Sequence, residues 1–177
     1  MAGAPTLKTP RLTLRAMVRD DFEAFAAMWQ EPEVMRFTGP PRSRGDCWGI
    51  FLRIAGSWVI EGFGQWAVTR TADGAFLGQV GFFRAMRGLG PDFDARPEAG
   101  WALCAAAHGQ GYGVEAAWAA HGWFDAQPFA GPTVAMIEVG HDVSFRVAAG
   151  LGYRPLREVE DAGDRVMLLE RRGVAGG

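Results

Sequence analysis

The stretch His108-Gly109-Gln110-Gly111-Tyr112-Gly113-Val114-Glu115-Ala116 constrains this chain more than any other. It follows a β-rich run, Glu98 to Cys104, and opens a run from Gly109 to Ala126 with helical periodicity, after which Thr133 to Val139 reads as another strand. A strand–helix–strand unit implies a right-handed parallel crossover. Glycines at the turn into the helix let the backbone approach a ligand. The unpaired N–H groups of the first helical turn, at the positive end of the helix dipole, favour a pyrophosphate. The same glycines also permit close packing of helix on sheet.

A P-loop is excluded because no Lys-Ser/Thr pair follows the glycines. Gly111-x-Gly113-x-x-Ala116 mimics a dinucleotide fingerprint, but that fingerprint opens a doubly wound fold, and here at least four strands come first. A nucleotide-linked oxidoreductase would require tight NAD(P) binding.

The strands before the turn are legible from alternation and turn chemistry. Arg11 to Met17 sets Leu12, Leu14 and Ala16 against Thr13 and Arg15, the period-2 pattern of a half-buried strand. A helix follows Asp20, with Phe22, Phe25, Ala26 and Trp29 at helical spacing before Pro32. Ser43 with Asp46 is a variant capping box ahead of the stripe Cys47, Phe51, Ile54, Ala55 and Trp58, which reads as a second helix ending at Gly62. Gln65–Arg70 and Ala75–Arg84 flank Thr71-Ala72-Asp73-Gly74, a hairpin signal. Residues 86–97 read as a loop, 142–150 as a helix, and short strands are expected near Tyr153 and from Arg165 to Glu170. The expectation is one domain over 1–177, with about 1–8 and 171–177 frayed.

In order and spacing the chain resembles the GNAT superfamily of N-acetyltransferases, in its RimJ/RimL-like branch. Thr9 to Arg15 resembles the opening strand, and Asp20 to Met28 with Pro32-Glu33-Val34-Met35 the first helix and turn. Gly100-Trp101-Ala102-Leu103 with the 108–116 turn is similar to the coenzyme-binding strand and pyrophosphate turn. Ser144 to Ala148 with Leu151-Gly152-Tyr153 looks like the penultimate helix. The resemblance implies an α/β fold: a mixed, mostly antiparallel sheet of six or seven strands, helices on both faces, and a V-shaped splay between strands 98–104 and 133–139.

It further implies acetyl-CoA as co-substrate. Leu103, Cys104 and Ala105 would offer backbone groups to the pantetheine arm. His108, Gly109, Gln110, Gly111, Tyr112, Gly113 and Val114 would hold the pyrophosphate, with His141 as a further coenzyme contact. Two departures from the branch stand out: His108 replaces the usual Arg or Gln, and His141 the usual Asn. The tyrosine that many members use as general acid falls at Ala148, which excludes that mechanism.

Amine acetylation by a thioester needs a free amine, a polarised carbonyl and a proton for the departing thiolate. Ser144 is the expected proton donor, against a role in packing or capping its helix. Glu98 is the expected general base, acting through water or through an ordered substrate from roughly 13 Å along the strand from Ala102 at ~3.3 Å per residue. The alternative for Glu98 is a solvated strand-end carboxylate, and Glu138 and His141 are rivals. Cys104 lacks an assignable activating histidine and reads as structural. Trp29, Trp48, Trp58, Trp118 and Trp123 read as helix packing, whereas Trp66 and Trp101 are candidate acceptor-site walls.

A net charge of −2 offers no basic excess for nucleic acid. Three histidines and two cysteines lack metal-ligand spacing, so no metal is expected. Met1 to Pro10 lacks a signal-type apolar core and no apolar run nears the ~20 residues of a membrane span, which points to the cytoplasm, with reduced cysteines and no membrane partner. The reading is an acetyl-CoA-dependent N-acetyltransferase acting on a peptide N-terminus or small-molecule amine, as monomer or homodimer. The alternative is a coenzyme-A-binding module without catalysis.

Overall fold

The computed structural model describes residues 3–173. Its frame is one eight-stranded sheet in the order β1-β2-β3-β4-β5-β6-β8-β7. The strands are β1 (Leu7–Lys8), β2 (Leu12–Arg15), β3 (Gln65–Arg70), β4 (Phe76–Phe83), β5 (Glu98–Leu103), β6 (Thr133–Glu138), β7 (Arg154–Asp161) and β8 (Asp164–Arg171). Every neighbouring pair is antiparallel except β5–β6. The expected six or seven strands become eight because Leu7 and Lys8 pair with Leu14 and Thr13; the strand expected near Tyr153 starts at Arg154 and runs to Asp161. Residues 7–8 are therefore paired rather than frayed. Arg171 likewise belongs to β8, held by Asp125 at 2.5 Å, while 1–2 and 174–177 lie outside the described residues.

Alternation along the strands sorts side chains onto two faces. Leu12, Leu14, Val68, Val80, Phe82, Ala99 and Leu103 join the cluster built with α5 (Tyr112–Asp125) and α6 (Asp142–Gly150). Helix α5 presents Ala116, Ala117 and Ala120, all fully buried, so small side chains bring it close to the sheet. Phe76 and Ala102 pack instead with α1 (Phe22–Met28), α2 (Pro32–Met35) and α3 (Arg44–Ile60). Ser43 caps α3 by accepting from the Asp46 N–H, and its hydroxyl donates to the Asp46 carboxylate at 2.6 Å.

The 86–97 segment is more ordered than a loop. It contains a short helix, α4 (Pro91–Asp94), whose Phe93 is 1% exposed and packs with Val134, Val166 and Leu168. Burying one such ring stabilises by roughly 1.5–3 kcal/mol. Arg157 clamps the segment through Asp92 at 3.0 Å and through the Leu89 carbonyl. This pins one rim of the cleft described next.

Candidate active site

Strands β5 and β6 share one paired position, Glu98 opposite Val134, and then part. Beyond it β5 pairs only with β4, and β6 only with β8, among the described residues. Peptide direction alternates along a strand. The Pro97 carbonyl accepts from Val134 N–H at 3.0 Å, and Cys104 N–H donates to the Leu77 carbonyl at 2.9 Å. The peptide groups of Trp101 and Leu103 therefore face the gap, and those of Gly100, Ala102 and Cys104 face β4.

This changes the backbone set expected to be free. Cys104 N–H is committed to Leu77, and Ala105 N–H donates to the Glu31 carboxylate at 2.7 Å. The Leu103 carbonyl accepts from His108 Nε2 at 2.9 Å. Trp101, with the Leu103 N–H, is what remains toward the gap. His108, expected at the pyrophosphate, closes the strand end instead. With its Nε2–H spent there, Nδ1 donates only when the ring is protonated.

At the turn, Gly109 and Gly111 have φ of 71° and 77°, conformations that glycine adopts without strain. A Cβ at Gly109 would meet open space, whereas one at Gly113 would press Leu103 Cδ1 at 3.4 Å. Gly109 and Gly111 thus shape the turn, and Gly113 seats the helix on the sheet. Arg11 lies across Gln110 and Tyr112: it donates to the Gln110 carbonyl at 2.9 Å, pairs with Glu115 at 2.6 Å and stands 4.6 Å over the Tyr112 ring. Thr9 also donates to Glu115, at 2.6 Å. Sequence reading missed this brace because it joins residues a hundred positions apart.

Across the gap, α6 brings Ser144 and its preceding His141 to Trp101. Trp101 Nε1 donates to Ser144 Oγ at 3.3 Å, and Ser144 Oγ lies 3.3 Å from His141 Nε2. His141 stacks on Phe37 with ring centroids 4.3 Å apart and planes 11° apart. Burial first, then the charge of nearby His108, holds His141 below the usual histidine range, so the ring is neutral near pH 7 and accepts from the Ser144 hydroxyl.

Glu98 is 4% exposed, which removes the reading of a solvated strand-end carboxylate. Burial pushes its carboxyl above the usual range, while Arg87, at 3.0 and 3.1 Å, pulls the other way. It opens onto a cleft of about 860 Å³ with Gln65, Gln79, Gly100 and Trp101. A Cβ at Gly100 would collide with Phe83 at 2.9 Å, so glycine keeps this floor low. Glu138 lines the same cleft, its carboxyl raised by burial and by Asp164.

Three aromatic expectations change. Trp66 is fully buried against Trp58 and Trp123, with Nε1 donating to the Pro5 carbonyl at 2.7 Å, so it forms no acceptor wall. Trp29 lines the cleft as well as packing in the core, and Trp118 is 55% exposed. Tyr153 is buried against Thr133 and His121, at 2.7 and 3.0 Å, and burial raises its phenol far above the usual range. It cannot reach the gap to replace the tyrosine absent at Ala148. Cys47 and Cys104 are free thiols, each raised by burial.

A parallel pair that splays after one paired position, a glycine turn at the start of the helix joining its strands and a cleft lined by both strands define the class of fold. The comparisons give that class a family. Residues 11–154 match the acetyltransferase (GNAT) domain. A structure described as a GnaT-family acetyltransferase from Bordetella pertussis is 30% identical, covers 95% of this chain and 99% of its own, and has a TM-score of 0.85. An acetyltransferase from Agrobacterium tumefaciens is 29% identical over 95% of both chains, with a TM-score of 0.78. RimL, a ribosomal L7/L12 α-N-protein acetyltransferase in complex with coenzyme A, shares the fold at 13% identity and a TM-score of 0.76, over 95% of this chain and 98% of that one. The chain belongs to the GNAT acetyltransferase family and is an acyltransferase. GNAT acetyltransferases use acetyl-CoA. No group of metal-ligating side chains occurs among the described residues, and no described helix is long and apolar enough to cross a membrane.

Proposed function

We propose that this chain transfers an acetyl group from acetyl-CoA to a primary amine, by direct attack on the thioester within the β5–β6 gap. The observation that carries this is the single Glu98–Val134 pairing, which leaves the Trp101 peptide unpaired between the glycine turn and the cleft. The turn fits a pyrophosphate: open backbone at Gly109 and the first-turn N–H groups of α5. Gly109 to Val114 would hold it, with the Arg11 brace keeping the turn in shape. The Trp101 carbonyl and the Leu103 N–H would hold the pantetheine arm in extended form.

Bound acetyl-CoA supplies the acyl group as a thioester. Trp101 N–H would donate to the thioester carbonyl oxygen as charge develops there. Glu98, as carboxylate, takes a proton from the ammonium through water. Ser144 gives its hydroxyl proton to the departing sulfur, and the second proton that the nitrogen sheds as the amide forms returns through water to the serine oxygen, which His141 holds in line, so each proton has a source and a destination. The new bond is amine nitrogen to acyl carbon, and the bond broken is carbon to sulfur.

Acetyl-CoA turnover against a mixed amine panel tests this reading. Thiol release that depends on an amine supports it. Coenzyme binding without turnover on any amine would leave a binding module instead.

A further inference from the structure

We infer that the acceptor carries a carboxylate as well as its reacting amine, and that Arg42 and Trp29 bind that carboxylate. The inference rests on the amine-transfer reading for its chemistry, but the anion site stands on its own geometry. Trp29 is 7% exposed, and its Nε1–H has no hydrogen-bond partner among the described residues; the same holds for Arg42 Nε. The Arg42 guanidinium lies over the Trp29 ring, its carbon 5.2 Å from the ring centroid, and Arg42 N–H fixes the loop by donating to the Trp29 carbonyl at 3.2 Å. Buried donors are nearly always paired, so unpaired donors on two stacked side chains that both line the cleft mark a place for a ligand's acceptor atoms.

The rest of that wall agrees. Gly45, in the first turn of the 17-residue helix α3, lines the cleft beside Arg42, so the positive end of the helix faces the same space. A Cβ at Gly45 would meet only Ser43 Oγ at 3.8 Å, and one at Gly49 nothing within 4 Å, which leaves room. Arg53 follows on the next turns, and neither Arg42 nor Arg53 forms an ion pair among the described residues. Asp46 shares the wall, but its carboxylate is held by the Ser43 hydroxyl.

The lining contributed by β5, β6 and the β7–β8 turn is acidic: Glu98, Glu138, Asp161 and Asp164, with Arg87 paired to Glu98 and near Asp161. A cleft with both a positive and a negative lining fits an amphoteric ligand. The ammonium would lie toward Glu98 and the carboxylate toward Arg42, where a planar guanidinium suits it. That chemistry belongs to a free amino acid or to a peptide N-terminus followed by an acidic side chain.

Matched acceptors test this with acetyl-CoA: β-alanine and γ-aminobutyrate against their carboxamides, and a tripeptide amide with Asp at its second position against the Asn form. In parallel, calorimetry follows N-acetyl-β-alanine binding to the CoA-loaded protein. The carboxylate member should be favoured in kcat/KM by about tenfold or more in at least one pair. That ratio should fall toward one in Arg42→Gln and partway in Trp29→Phe, with the KM for acetyl-CoA unmoved in Arg42→Gln. The pair that discriminates tells a free amino acid from a peptide. A wild type indifferent to the carboxylate, or a preference surviving both substitutions, overturns the site. If no amine turns over yet N-acetyl-β-alanine binds wild type and not Arg42→Gln, amine transfer fails while the anion site holds. Absence of both discrimination and binding overturns the site.

Discussion

Trp101 Nε1 donates to Ser144 Oγ at 3.3 Å, tying the hydroxyl on α6 to the strand whose parallel neighbour has peeled away. Ser144 is 7% exposed and touches His141 as well, so it is held by two partners rather than turned freely to solvent. Replacing it by Ala should lower kcat about 10- to 100-fold while leaving the KM for acetyl-CoA unchanged, the pattern of an interaction made in the transition state. Trp101→Phe keeps the backbone donor but frees the hydroxyl, and should give a smaller loss of kcat. Steady-state kinetics on both variants check this; a raised KM alone in Ser144→Ala would make it a coenzyme-positioning residue.

The Glu98–Arg87 pair sets a pH dependence. A general base works as the carboxylate, so activity is present above its pKa and lost as pH falls through it. Burial places that limb above the ordinary glutamate value of about 4.3. Arg87 favours the charged form, so Arg87→Met should move the acidic limb of kcat/KM to higher pH, and Glu98→Gln should flatten it. A limb that stays in place in both variants would assign the base elsewhere, with Glu138 next in line.

Two glycines of the turn should separate binding from packing. Gly111 has φ of 77°, and valine there would strain the backbone by roughly 1–3 kcal/mol and intrude on the first helical turn, abolishing acetyl-CoA binding by calorimetry. Gly113 has no positive φ, and a Cβ there meets Leu103 instead, so Gly113→Val should register mainly as a lowered Tm. The reverse ranking would place the pyrophosphate away from this turn.

What the sequence made legible was local chemistry. Ser43 and Asp46 announce the start of α3, and Asp73-Gly74 announces the hairpin, where Gly74 takes φ of 74° and the Arg70 carbonyl accepts its N–H at 2.8 Å. The glycine turn followed from its place between a strand and a helix, and the splay from the family resemblance. What stayed hidden depends on register or long range. Whether Trp101 or Cys104 faces the gap is decided by pairing with β4, since a slip of one residue would exchange them. Trp29 reads as helix packing and Arg42 carries no reading, because neither residue type reveals that its partner is missing. Nothing in the sequence ties His121 to Tyr153, and only the fold brings the two together.

His121 gives a stability prediction. Burial lowers its pKa from 6.5 to about 4, and Nε2 accepts from Tyr153 at 3.0 Å while Nδ1–H donates to the Ala117 carbonyl at 2.7 Å. The unfolded chain binds the proton more readily, so this stability is present above about pH 6.5 and is lost as pH falls toward 4, by up to about 3 kcal/mol. Urea titrations at pH 7, 5.5 and 4.5 should show a shallower acid loss in His121→Phe than in the parent. Equal slopes would mean the histidine is not buried in neutral form.

The central claim is that the β5–β6 gap receives the coenzyme arm, and backbone amide NMR with and without coenzyme A tests it most directly. The account predicts that, on binding, the amides of Trp101 and Leu103 and of Gly109 to Val114 shift and gain exchange protection, while Cys104 and Ala105, already donating to Leu77 and Glu31, change little. Protection that left Trp101 and Leu103 unaffected, or no binding at millimolar coenzyme A, would contradict it.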